Sequence, residues 1–213
     1  MKTDALAAIV TAADALGKKG IYSDLDASLT LAIKTVNYYT RVMWQATLDL
    51  SRGAIDGRGF EDVMITLIEG QMRRAWNEGM RNVGLDPAQD FTPEMEQELQ
   101  NIISAEFEFV NRYIDDVQKV VAAGGDVNQF RARVDMWANR YVDVVNRAEI
   151  FCKPKDLFVW RLGATEQHCE DCAGYAGRIM TGAEWAKEKQ PQGRDLACKG
   201  YNCDCTLERV VSV

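Results

Sequence analysis

From about residue 4 to residue 150 the apolar positions recur every three or four residues, the period of a helix with one buried face. A first helix is expected over about 4–16, stopped by Gly17-Lys18-Lys19-Gly20. A second, over about 25–52, carries Leu29, Ile33, Val36, Tyr39, Met43 and Ala46 on one face. Gly53 and the turn Asp56-Gly57-Arg58-Gly59 close it. A third, over about 60–82, has the stripe Val63, Leu67, Ile68, Met72, Ala75, Trp76 and Met80. Thr92, Pro93 and Glu94 then form a start signal: a capping hydroxyl, a proline at the first helical position and an acid near the positive end of the helix dipole. The fourth helix runs to about 123 with Met95, Leu99, Ile103, Phe107, Val110, Ile114, Val117 and Val121 on its face. Asp126 and Gln129 have capping-box spacing at the head of a fifth, which carries Val127, Phe130, Val134, Trp137, Tyr141, Val144 and Ala148. These stripes read as bundle core, and none resembles a cofactor box.

The texture changes after Phe151. Lys153-Pro154-Lys155 is a break, and Leu157-Phe158-Val159-Trp160-Arg161-Leu162 has the compact apolar and aromatic character of a strand. Glycines, cysteines and turn residues follow, with one short helical piece around 181–188 and a tail, 206–211, that reads as a second strand. A boundary near residue 150 therefore separates a helical module, 1–150, from a cysteine-rich module, 151–213.

Composition narrows the class. Apolar residues make up 47% of the 213 and charged residues 27%, the balance of a chain that buries a core without disulfides. The net charge of -7 argues against binding duplex DNA across a whole face, and Lys and Arg after residue 150 are matched by Asp and Glu, so no basic stripe emerges. No signal peptide or membrane span is visible, so synthesis in a reducing cytoplasm is expected.

That compartment sets the reading of the six cysteines, five of which cluster late in the chain. Cys169-Glu170-Asp171-Cys172 is a CxxC; Cys198 and the CxC of Cys203-Asp204-Cys205 follow. Two such knuckles supply the four tetrahedral ligands that zinc requires. Cys169, Cys172, Cys198, Cys203 and Cys205 are five candidates for four places, and spacing eliminates none of the last three. His168 adjoins Cys169, and neighbours in sequence rarely reach one ion; Cys152 reads as a small buried apolar residue. A deaminase-like zinc site would need His-x-Glu and Pro-Cys elements that are absent, and a redox CxxC would need a βαβ setting. Thiolate-only ligation favours a closed, structural zinc, so no enzyme activity is expected. The expected fold is mainly α: a helical N-terminal module of about five helices, then a small zinc-stapled α+β module.

The segment from Trp160 to Cys172 and the segment Leu196-Ala197-Cys198-Lys199-Gly200-Tyr201-Asn202-Cys203-Asp204-Cys205-Thr206-Leu207 together resemble the C-terminal part of the Mu F-like minor head proteins of tailed bacteriophages, the phage head morphogenesis family. That family's pattern is a tryptophan strand, a CxxC, a variable stretch and an Asn-Cys-x-Cys before a short apolar end. Its commoner His-Pro-Asn-Cys-x-Cys is here Gly200-Tyr201-Asn202-Cys203-Asp204-Cys205, with Cys198 upstream, which leaves the fourth ligand open. The stretch from Ser51 to Gly57, then Phe60 and a helix with Ala75 and Gly79, is similar to the family's helical part, less specifically. The resemblance implies a minor capsid protein of the virion head or neck, made in the bacterial host cytoplasm. Its implied partners are portal or capsid proteins, with a homo-oligomer left open and neither membrane nor direct nucleic-acid binding expected. Some relatives carry fused toxin domains; none is expected after Cys205. The rival readings are a host-acting zinc-dependent enzyme or toxin, and a zinc-ribbon nucleic-acid binder.

Overall fold

A computed structural model of the chain describes residues 25–164, 166–200 and 203–210, with side chains from residue 36 onward. The helix expected over 4–16 lies outside the described residues. The described elements run in the order α1 (Leu25–Ser51), α2 (Gly57–Asn82), α3 (Pro93–Ala122), a 3-10 turn (Val127–Phe130), α4 (Arg131–Cys152), β1 (Leu157–Arg161), α5 (Glu170–Tyr175), β2 (Ile179–Thr181), α6 (Gly182–Trp185) and β3 (Thr206–Arg209). The described residues are mainly helical with a small three-stranded sheet, and those from Val36 onward belong to one compact unit.

Helix starts follow local side-chain chemistry. Asp56 caps α2 by accepting from the Gly59 N–H, so the residues read as a closing turn in fact open a helix. Thr92 caps α3 as expected, accepting from the Met95 N–H at 3.3 Å. The capping box at Asp126 does not form. Asp126 accepts from the Asn128 N–H, and Gln129 donates to the Asp126 carbonyl, because the first turn is a 3-10 turn rather than α.

The stripes meet in a shared core. Tyr39, Met43, Leu67, Ile68, Met72, Trp76, Leu99, Ile103, Val117, Val134, Trp137, Tyr141 and Val144 are buried. Tyr113 lies at its centre, stacked on Phe60 at 5.6 Å, edge-on to Trp137 at 5.0 Å and sharing a 2.9 Å hydrogen bond with Thr47. Val121, expected on the face of α3, is instead exposed near its end. Gln71 reaches across from α2 to α4 and donates to the carbonyls of Trp137 and Ala138 at 3.2 and 2.6 Å.

The sheet has the order β2-β1-β3, with β1 antiparallel to both neighbours. Phe158 pairs with Met180 and Trp160 with Leu207. Three consecutive β1 residues, Phe158, Val159 and Trp160, are buried, so this central strand is covered on both faces. Ile150, Phe158, Trp160, Trp185, Leu196 and Leu207 pack with Cys172 and Cys205 into a second apolar cluster.

Candidate metal centre

The centre is assembled by two chain segments that converge beside the sheet. In the first, Cys169 has extended backbone and caps α5, its sulfur accepting the Cys172 N–H at 3.5 Å. One helical turn then presents Cys169 and Cys172 on the same side. In the second, the loop before β3 turns sharply: Gln192, Lys199 and Gly200 all have positive φ. Gly200 is required there, because a Cβ would lie 2.3 Å from the Gln192 carbonyl oxygen. Gly163 is required for a similar reason, since its Cβ would fall 2.0 Å from Cγ of Asp204.

Five cysteines, Cys169, Cys172, Cys198, Cys203 and Cys205, are brought together in overlapping groups. Cys169, Cys172 and Cys198 form one, and Cys172, Cys203 and Cys205 another, with the sulfurs of each group all within 4.8 Å of one another. Cys172 is common to both. Its sulfur is 3.7 Å from that of Cys203. A tetrahedral ion with metal–sulfur bonds of about 2.3 Å sets its sulfurs about 3.8 Å apart, so this pair already has the edge length of a coordination tetrahedron. His168 and Asp204 join Cys205 in a third group, with His168 Nδ1 3.8 Å from the Cys205 sulfur. His168 thus lies with Cys205 rather than with its sequence neighbour Cys169. Cys152, at the end of α4, is half-buried and belongs to none of these groups; burial pushes its thiol up to about 11.

The donor chemistry fits a cation. Burial and the neighbouring Cys169 and Cys203 push the Cys172 thiol well up, and the Cys205 contact followed by burial does the same to Cys203. Burial raises Cys198 to about 11 against the Gly200 N–H. Cys205 is shifted down, chiefly by the hydrogen bond from Cys203. For Cys169 burial works upward but is outweighed by backbone N–H groups of Cys172 and Cys198, and its thiol is lowered. Sulfurs packed this closely cannot all ionise by themselves. A bound cation would displace their protons and hold them as thiolates. Backbone N–H groups directed at Cys169, Cys198, Cys203 and Cys205 supply the outer hydrogen bonds that thiolate ligands take.

Polar side chains fasten this loop in place, and sequence reasoning passed over them. Asp171, inside the CxxC, accepts from Lys189 Nζ and from the Ala197 N–H, both at 2.7 Å, and these two contacts lower its pKa. Gln192 donates to the Cys205 carbonyl at 3.2 Å, and its own carbonyl accepts from Arg140 of α4. Asn146 of α4 accepts the Leu207 N–H. Arg140 is buried between Glu106, at 3.1 Å, and Asp143, at 2.7 Å; Arg194 of the loop also reaches Glu106, at 3.0 Å. The signal was present: Glu106 falls between Ile103 and Val110 on the apolar stripe of α3, where an acid needs a buried partner. A pocket of ≈130 Å³ sits at this junction, walled by Phe109, Trp137 and Met136 on the helices and by Arg194, Lys199 and Gly200 on the loop.

These features define a class: a mainly α-helical protein with a C-terminal cysteine cluster that could hold a metal ion. Comparison with protein-family models, with curated proteins and with solved structures finds no match to this chain. Among the described residues no helix is long and apolar enough to cross a membrane.

Proposed function

We propose that this chain is a minor structural protein of the head of a tailed bacteriophage, stapled at its C-terminal end by zinc. The observation that carries the reading is the convergence of the two segments that resemble the Mu F-like family onto one cluster of thiols. Zinc is the metal favoured by a sulfur-rich set with no redox demand. Four thiolates from the five candidates would close its coordination shell, which suits a structural staple and leaves no open position for a reaction at that ion.

The work of such a protein is to bind other proteins. A helical scaffold fastened to a metal-stiffened loop region presents a rigid surface to a portal or capsid subunit. The chain's acidic balance suits protein partners better than the packaged genome. Purified heads, proheads and virions should contain the protein, and phage lacking it should yield defective particles. Its absence from all three, with normal titre after deletion, would refute the assignment and favour a host-acting zinc enzyme or toxin. Salt-sensitive retention on DNA would favour a nucleic-acid binder instead.

A further inference from the structure

The cluster holds more donors than one ion can use. A tetrahedral zinc takes four ligands. The structure places five thiols, an imidazole and a carboxylate in a continuous chain of neighbours, from Cys198 and Cys169 through Cys172, Cys203 and Cys205 to His168 and Asp204. We propose that the centre holds two zinc ions, the first closed by Cys169, Cys172, Cys198 and Cys203, the second held by Cys205, His168 and Asp204. The proposal rests on the zinc reading above.

Geometry divides the donors in this way. Cys169, Cys172 and Cys198 form one group; Cys203 groups with Cys172 and Cys205, and its 3.7 Å approach to Cys172 makes it the fourth sulfur of the first site once Cys205 is taken by the second. Cys205 is the sulfur that also adjoins nitrogen and oxygen donors: it groups with His168 and Asp204, 3.8 Å from the imidazole Nδ1. The Asp204 carboxylate is oriented toward this corner by the Ala164 N–H, which donates to Oδ2 at 2.6 Å. Gly163 admits the carboxylate where any side chain would collide with it.

Charge favours the same division. Four thiolates on one divalent ion leave two net negative charges, and the Cys205 thiolate and Asp204 add to them. A second cation offsets that accumulation at the edge of the cluster. One sulfur, one imidazole and one carboxylate are ligand types zinc accepts together, and three protein ligands leave a fourth position for water. The second ion has three protein ligands, only one of them a thiolate, so it should bind more weakly than the first.

The test is metal stoichiometry of the full chain. Protein stripped by chelation under a thiol-free reductant is titrated with Zn2+ and weighed by native mass spectrometry, with Co2+ absorption in parallel. The wild type should take up two ions in sequence. His168→Ala, Asp204→Asn and the double variant should each take up one and keep the Co2+ absorption of the thiolate site. Tryptophan emission from Trp160 and Trp185 checks that each variant folds around its first ion. One ion in the wild type overturns this inference and leaves the zinc staple standing. No ion overturns the staple itself. Two ions in both the wild type and the double variant overturn the assignment to His168 and Asp204.

Discussion

Two regions of this molecule bury their cores by different means. Between Val36 and Cys152 long helices bring together Phe60, Trp76, Tyr113, Trp137 and Tyr141 with methionines and branched aliphatics, enough apolar surface to sustain a fold. From Leu157 to Arg209 the cluster is far smaller, three short strands and two short helices around Phe158, Trp160, Trp185, Leu196 and Leu207. Two of its fully enclosed members are cysteines. A core that small falls short of offsetting chain entropy, and a metal ion held by the cysteines would supply what burial cannot. The regions are not independent, because Arg140, Asn146 and Ile150 of α4 also contact the cysteine region.

The largest effect should come from the ligands. Cys172→Ser should abolish most of a metal-binding contribution of roughly 10 kcal/mol and unfold the sheet region while the helices persist. Cys152→Ser, outside the cluster, should change stability by no more than about 1 kcal/mol. Circular dichroism with tryptophan emission separates the two outcomes; equal effects from both substitutions would dissolve the contrast between the regions.

Next comes the joint between them. Glu106→Gln removes the carboxylate shared by Arg140 and Arg194, and should cost about 3 kcal/mol because a buried guanidinium loses a partner. It should also make the sheet region more sensitive to chelator, measured by denaturant melts with and without one. A smaller effect, confined to the helices, is expected for Gly79→Ala. Its Cβ would lie 2.5 Å from the Val145 carbonyl oxygen where α2 meets α4. About 2 kcal/mol should be lost in a denaturant melt, with metal content unchanged.

The smallest effect is pH-dependent. Burial pushes Glu149 up to about 7 against the hydrogen bond from Asn82, with Glu78 adding to the rise. The folded state then keeps a proton that the unfolded chain releases near 4.5, so stability falls as pH rises between about 4.5 and 7. Glu149 is partly exposed and screened by water, so Glu149→Gln should gain about 1 kcal/mol above pH 7 and nothing below pH 4.5. Thermal melts across that range check it.

The helices were legible because their period is local: Thr92, Pro93 and the stripe from Met95 to Val117 mark α3 without any knowledge of its neighbours. The convergence of the cysteines was legible for the same reason, as two knuckles with metal-ligand spacing. What stayed hidden depends on distant partners. β2 is three residues long and exists only because β1 lies beside it. Asp56 reads as a turn until the Gly59 N–H is seen on its carboxylate. The grouping of His168 with Cys205 comes from the path of the loop, and adjacency to Cys169 pointed the other way. Arg140 and Glu106 are far apart in sequence, and their pairing appears only once α3 and α4 pack.

If zinc holds the sheet region together while the helical core stands without it, hydrogen exchange of the reduced protein before and after metal removal will separate the two regions. Amides at Phe158, Trp160 and Leu207 should lose protection on chelation, while those of α2 and of α4 as far as Val145 keep theirs. Unchanged protection at Phe158, Trp160 and Leu207 once the metal is gone would contradict the zinc staple.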